Sequence, residues 1–259
     1  PKTPLASGMI ISVVLPEAND HEQEPVAESL PLTVLYEDKQ LLVVDKPAGM
    51  VVHPAAGIRS GTLVNALLAR YPGFARRFPD SPLRPGIVHR LDKDTSGCLA
   101  VALDKPSQLF LVKAFANREV RKTYLALVLG RPRSEAGEIS AAIGRHPVQR
   151  QKMAMLERGG RAAVTRYRLV RCGKIEDLPV SLLEVAILTG RTHQIRVHLA
   201  GMRMPVLGDA TYGGSRSLVA PRQMLHAWKL GLPHPATGEF REWESPLPGD
   251  FRGWLARLA

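Results

Sequence analysis

Apolar residues along this chain recur at two periods, and the switches between them set the expected elements. Short apolar runs bounded by turn residues read as strands, whereas apolar positions three and four apart read as helices. The first run, Gly8-Met9-Ile10-Ile11-Ser12-Val13-Val14-Leu15, follows a glycine turn and reads as a strand. Residues 32–36 and 41–46 are apolar strands around the polar turn Glu37-Asp38-Lys39-Gln40, a hairpin. Residues 62–71 predict a helix with Leu63, Ala66, Leu67 and Arg70 on one face. After a Pro- and Arg-rich loop at 72–85, residues 87–91 read as a short strand and the stretch to Leu103 as a buried one. Asp104 can cap a helix over 105–117, with Pro106 in its first turn and Leu109, Val112, Lys113 and Ala116 sharing a face. Strands are predicted at 121–130, 163–171 and 178–188. Residues 190–200 read as a helix entered from a glycine turn, with His193, Arg196, Val197 and Ala200 on one face. Strands at 224–230 and 240–244 and a short helix at 251–258 complete the pattern.

Residues 16–31 break this pattern. They are acidic, punctuated by Pro16, Pro25 and Pro31, and read as an extended linker. The expected organisation is therefore a short segment at 1–15, a linker at 16–31 and a globular domain at 32–259. No run approaches the ~18 apolar residues of a membrane span, and no secretory signal is evident. The chain opens at Pro1, which leaves room for an upstream segment. Cys98 and Cys172 are too few for a disulfide framework or metal cluster and suit a reducing cytosol, so a cytoplasmic protein is expected.

Charge changes the picture most. The 35 Lys and Arg against 24 Asp and Glu give a formal net charge of +11. Five acids and no base fall in residues 17–30, so the rest of the chain carries +16. Such an excess favours polyanions, nucleic acid first among them, although a merely soluble basic protein has the same composition. Part of the excess is local. Residues 144–161 hold Arg145, His146, Arg150, Lys152, Arg158 and Arg161 with Glu157 as the one acid. This is either a solvated hairpin or an arm for RNA phosphates.

The strongest candidate chemistry is the stretch His89-Arg90-Leu91-Asp92-Lys93-Asp94-Thr95-Ser96-Gly97. It places Asp92 at the mouth of a loop between two core strands, where a rigid scaffold can present a carboxylate to a ligand. Alternatively, a loop Asp bonds nearby backbone N–H groups and does nothing more. His193 and His198 do not read as a metal pair, because they are five apart and no Cys or acid nearby completes a set. His53 can be a ligand or a turn residue.

His-Arg-Leu-Asp-x-x-Thr-Ser-Gly resembles the signature of the large-ribosomal-RNA family of pseudouridine synthases. The resemblance extends from Pro31 to about Pro248. It includes Lys46-Pro47-Ala48-Gly49-Met50-Val51-Val52-His53-Pro54, the Lys-x-Tyr-x-Ala-Leu-Val-x-Gly run around Tyr124, and Gly190-Arg191-Thr192-His193-Gln194-Ile195-Arg196-Val197-His198. Among family members, residues 84–97, Ile143-Gly144-Arg145-His146-Pro147, Ala162-Ala163-Val164-Thr165-Arg166-Tyr167 and the Leu207-Gly208-Asp209 loop are most similar to the D type.

The resemblance implies an α+β fold: a mixed, mostly antiparallel bent sheet with flanking helices and an RNA cleft. It makes Asp92 the catalytic carboxylate, Arg196 its partner and Tyr124 the ring that stacks on the target base. Leu225 packs below the uracil. Arg90 either fills the gap left by the flipped base or contacts a phosphate, and Arg191 serves RNA or the local fold. Arg145, Arg150 and Lys152 belong to the arm that closes on RNA. Residues 9–15 are similar to the last strand of the S4 RNA-binding domain that many relatives carry.

Pseudouridine formation breaks the uridine C1′–N1 bond and joins C5 to C1′. It needs no redox carrier, group donor or metal, so no cofactor is expected, and none of the phosphate-binding glycine loops is present. A carboxylate can act as nucleophile or as the base that removes a sugar proton. A bidentate guanidinium would fix its direction, which predicts such a pair between Arg196 and Asp92. The expected substrate is ribosomal RNA of the large subunit, at the loop of helix 69, with the protein acting as a monomer. Alternatives are the same chemistry at another ribosomal or transfer-RNA site, or a non-catalytic RNA-binding assembly protein. A glycosidase-like hydrolase would want two acids flanking the bond.

Overall fold

A computed structural model describes residues 7–9, 24–55, 57–149, 151–215 and 220–259. Most of segment 1–15, the first half of linker 16–31 and all of Arg150 lie outside these residues. The described part of the linker, 24–31, forms no helix or strand. It is tied to the body all the same: Asn65 Nδ2 donates to the Val26 carbonyl at 2.7 Å, and Glu28 accepts from the Gly61 N–H.

The body is built on one large sheet. Its strands are β1 (Thr33–Glu37), β2 (Leu41–Lys46), β3 (Ser96–Ala102), β4 (Arg121–Leu129), β5 (Ala136–Ser140), β8 (Val164–Ile175), β9 (Leu178–Ile187), β10 (Leu225–Pro233) and β11 (Phe240–Glu244). Their order is β1-β2-β3-β10-β4-β9-β8-β5, with β11 against β10. Every pairing is antiparallel except β3 with β10. Register shifts interrupt β1, β8 and β10, and such bulges bend a strand and increase its twist. A separate hairpin, β6 (Ala142–Arg145) and β7 (Met153–Leu156), stands off the sheet between β5 and β8.

Strand periodicity sorts the core into two layers. Leu42 and Val44, Leu99 and Val101, and Tyr124, Ala126 and Val128 point to one face, together with α1 (Leu63–Arg70) and α3 (Gln194–Gly201). Leu41, Val43, Cys98 and Ala100 point to the other, under α2 (Lys105–Ala116). Leu125 and Leu127 meet Phe251 of α4 (Gly249–Ala256) on that second face. Thr62 and Asp104 cap α1 and α2.

Three expectations need correction. Residues 87–91 form no strand and carry only a single bridge, Ile87 to Val101 on the edge of β3 away from β2, because the next N–H along that edge, Ala100, donates to the His89 side chain rather than to a backbone carbonyl. The buried residues of α2 are Ser107, Gln108, Leu111 and Ala114, whereas Leu109 and Val112 are 59% and 47% exposed. Residues 109–116 of α2 are apolar except Lys113, so periodicity cannot choose a side. Small residues facing the sheet do: Ala114 lies in the same cluster as Ala100 and Ala102. Finally, the loop 72–85 contains a short 3-10 turn, Phe74–Arg77, which buries Phe74.

Candidate active site

Asp92 follows the extended segment 87–91 and opens a tight turn, in which the Thr95 N–H donates to the Asp92 carbonyl at 3.1 Å. That turn is held from beneath. Lys46, fully buried, donates from Nζ to the carbonyls of Pro47, Met50 and Lys93 at 2.8, 2.8 and 3.0 Å. Burial pulls its pKa down to about 7. Gln223 Nε2 donates to Thr95 Oγ1 at 2.9 Å, and Arg222 Nη1 to the Asp94 carbonyl at 2.9 Å. Gly97 sits at φ +116°, and any Cβ there would collide with the Ala227 carbonyl of β10. Only glycine lets β3 start this close to β10, so the loop bearing Asp92 lies at the centre of the sheet.

The second wall is the entry to α3. The helix does not run from residue 190. His193 adopts a left-handed backbone at φ 56°, and the helix starts at Gln194. The Gln194 side chain explains the late start. Its Oε1 accepts from Thr189 Oγ1 at 2.7 Å and from the Arg191 N–H at 3.0 Å, while Nε2 donates to the Val164 carbonyl and Thr165 Oγ1 at 3.0 Å each. These bonds satisfy the turn locally and leave His193 facing the cleft.

Arg196 joins the two walls. Its Nη1 donates to Asp92 Oδ2 at 3.0 Å, a single bond. The bidentate pair expected with Asp92 is made instead with Asp209: Nε to Oδ2 at 2.8 Å and Nη2 to Oδ1 at 2.9 Å. Asp209 is fully buried in the loop 205–214, and its Oδ1 also accepts the N–H groups of Thr211 and Tyr212. The rigid fork of the guanidinium is thus spent on fixing Arg196, and one remaining donor is presented to Asp92. Burial acts to lower the Arg196 pKa, but the Asp209 and Asp92 carboxylates outweigh it and hold the pKa above its ordinary value.

A cleft of about 350 Å³ opens over β3, β10 and β4 on the α1/α3 face. Asp92, Tyr124, Arg196, Leu225, Arg90 and Arg191 all line it. Tyr124 projects from β4 and is 7% exposed. Burial, aided by the Asp92 charge, raises its pKa, so the phenol is neutral. Leu225, the first residue of β10, is buried. Arg90 is exposed, and Arg191 donates from Nε to the Ala162 carbonyl at 3.1 Å. Arg145 and Lys152 lie in the β6–β7 hairpin instead. Lys152 borders a neighbouring depression with Gln149, Gln151, Thr211 and His193.

Three residues of this site fall inside the motifs quoted above but receive no role in the chemistry from sequence. Lys122 lines the cleft, and burial brings its pKa down to about 8, with Arg191 adding to the effect. Asp209 is a loop acid whose partner lies 13 residues back on another element. His193 invites only a metal reading from sequence, yet its Nε2 lies 3.9 Å from Asp92 Oδ1.

A family model described as RNA pseudouridylate synthase matches residues 40–201, which span both walls of this cleft. The chain belongs to the RNA pseudouridylate synthase family. As a pseudouridine synthase it is an isomerase. It is 45% identical over 259 residues to the ribosomal large subunit pseudouridine synthase D of Pseudomonas aeruginosa, covering 95% of this chain and 77% of that one. The synthase D of Nitrosomonas europaea is 44% identical over 254 residues, covering 95% and 70%. An uncharacterized RNA pseudouridine synthase of Chloroflexus aurantiacus is 50% identical over 256 residues, covering 98% and 78%. Among solved structures, human RNA pseudouridylate synthase domain containing 1 superposes with a TM-score of 0.70 at 33% identity, covering 86% of each chain. The pseudouridine synthase fold expected from the motifs is therefore the fold of this chain. No helix among the described residues is long and apolar enough to cross a membrane.

Proposed function

We propose that this synthase isomerises uridines of large-subunit ribosomal RNA, in the loop of helix 69, with Asp92 as the reacting carboxylate. The observation that carries the reading is the single Asp92–Arg196 bond on the cleft floor, beside Tyr124 and Leu225. One donor orients Asp92 and leaves Oδ1 without a hydrogen bond to Arg196, which is what a nucleophile or base requires. Tyr124 offers a ring, Leu225 an apolar floor, and Arg90 a cation at the rim for a base turned out of its stack. Extruding a base costs about a few kcal/mol, and loop bases cost less than paired ones. The isomerisation is balanced without a co-reactant: C1′–N1 breaks, C5–C1′ forms, N1 gains a proton and C5 gives one to water.

The ribosomal address is supported by relatives whose printed name is ribosomal large subunit pseudouridine synthase D. The helix 69 assignment rests on the D-type motifs at 84–97 and 143–147. Arg145, Arg150 and Lys152 supply phosphate contacts from the hairpin. The test is to map pseudouridines in RNA from cells lacking the protein, with wild type or Asp92→Asn restored. Loss at helix 69, regained only with wild type, is expected. Full helix 69 modification in the deletion strain, with loss at another ribosomal or transfer-RNA site, would move the address while keeping the enzyme.

A further inference from the structure

Three groups lie in line between the basic hairpin and the reactive carboxylate. The Met153 N–H of β7 donates to Tyr212 Oη at 2.9 Å. Tyr212 Oη lies 2.8 Å from His193 Nδ1, and His193 Nε2 lies 3.9 Å from Asp92 Oδ1. With the Met153 N–H already on the phenol oxygen, the tautomer that uses every group is the one in which the phenol donates to Nδ1. A neutral imidazole that accepts at Nδ1 carries its proton on Nε2, the nitrogen facing Asp92. His193 also borders both the cleft over Asp92 and the depression beneath Gln149, Gln151 and Lys152. Its left-handed backbone is uncommon outside glycine, and such conformations persist where the surroundings enforce them.

We propose that His193 is a positioning residue for Asp92, oriented by Tyr212 so that the hairpin and the carboxylate are joined in one hydrogen-bonded line. This rests on Asp92 being the reacting group. The last link is open at 3.9 Å, and a movement of about 1 Å closes it to hydrogen-bond length. Movement of β7 as the hairpin meets RNA is transmitted through Met153 and Tyr212 to that link. RNA on the hairpin thereby fixes Oδ1, the oxygen that Arg196 does not hold.

The test follows single-turnover release of tritium from C5 of uridine-labelled total RNA taken from cells lacking the protein. This readout does not depend on which uridine is the target, so a wrong address leaves it intact. An Asp92→Asn control that still releases tritium would instead show that the reacting group is misassigned. His193→Asn tolerates the left-handed backbone and can still reach Tyr212, but it loses the donor facing Asp92. It is expected to slow release about 10- to 100-fold, the loss for one hydrogen bond to a charged group, with RNA affinity within about twofold. His193→Gln keeps a donor at the Nε2 position and should recover to within about threefold of wild type. Tyr212→Phe keeps the ring over Arg196, removes the hydroxyl, and should slow release about fivefold. Combined with His193→Asn it should add nothing further, since the two act in series. The proposal is overturned by wild-type rates in His193→Asn or Tyr212→Phe, by losses that multiply, by a loss confined to RNA affinity, or by His193→Gln as slow as His193→Asn. Tyr212→Phe decides the matter alone if His193→Asn does not fold.

Discussion

The floor of the cleft and the β6–β7 hairpin are built on opposite principles. On the floor, the groups around Asp92 are buried and multiply bonded: Lys46 to three carbonyls, Arg196 to two carboxylates, Gln194 to four partners. The hairpin meets the body at a cluster of three buried side chains, of which only Ile143 is its own beside Ala163 and Val197, and its turn leaves Val148 81% exposed. Backbone bonds of Ile143 with Arg161 and the bond of the Met153 N–H to Tyr212 tie its two strands down. Bond rearrangement needs a carboxylate placed to a fraction of an ångström, so the floor is over-determined. Phosphate contact needs charge on an adaptable surface, so the hairpin is not.

The contrast can be broken most completely at Asp92. Asp92→Asn is expected to abolish isomerisation while leaving the fold and most RNA affinity in place, because phosphate contacts come from elsewhere. Activity within tenfold of wild type would remove Asp92 from the chemistry.

Arg196→Met tests whether the floor is also structural. It leaves the fully buried Asp209 charge uncompensated, a loss of about 3–5 kcal/mol in addition to activity. Denaturant unfolding at the wild-type midpoint would argue that the Asp209–Arg196–Asp92 bridge contributes little to stability.

His89 gives the floor a pH signature. Its half-buried imidazole lines the cleft and accepts the Ala100 N–H at Nε2, 2.8 Å away, and desolvation, with Lys122 nearby, pushes its pKa down to about 3. The unfolded imidazole takes up a proton near the ordinary value of about 6.5. Stability from this group is therefore complete above about pH 6.5 and falls as pH drops from there towards about 3. His89→Gln keeps an acceptor and does not titrate. Unfolding midpoints of wild type and His89→Gln should diverge over that range, and parallel curves would contradict it.

The smallest effect belongs to the hairpin. Neutralising Arg145, Arg150 and Lys152 together should reduce the slope of log affinity against log salt by about 2. An unchanged slope would return the hairpin to a solvated surface feature.

Much of this was written in the linear chain. Local periodicity placed eight of the nine strands of the large sheet, all but β5, and three of the four helices to within a few residues, because burial on alternating or threefold-spaced positions leaves a one-dimensional trace. α3 was misplaced at its start, since the side chain that ends the turn, Gln194, acts through partners on β8. The motif around Asp92 and the spacing around Tyr124 and Arg196 located residues that the fold gathers into one cleft.

What only the tertiary structure decided is how those residues share their bonds. Sequence could pair one arginine with one carboxylate. It could not show that Asp209 takes the bidentate edge, since that depends on a loop folding back beneath α3. The buried face of α2 was equally undecidable, because the choice is made by small residues on β3, Ala100 and Ala102, rather than by the periodicity of the helix. Periodicity records which elements form and the motifs record which atoms react. The geometry between them arises from contacts far apart in the chain, which leave no local pattern.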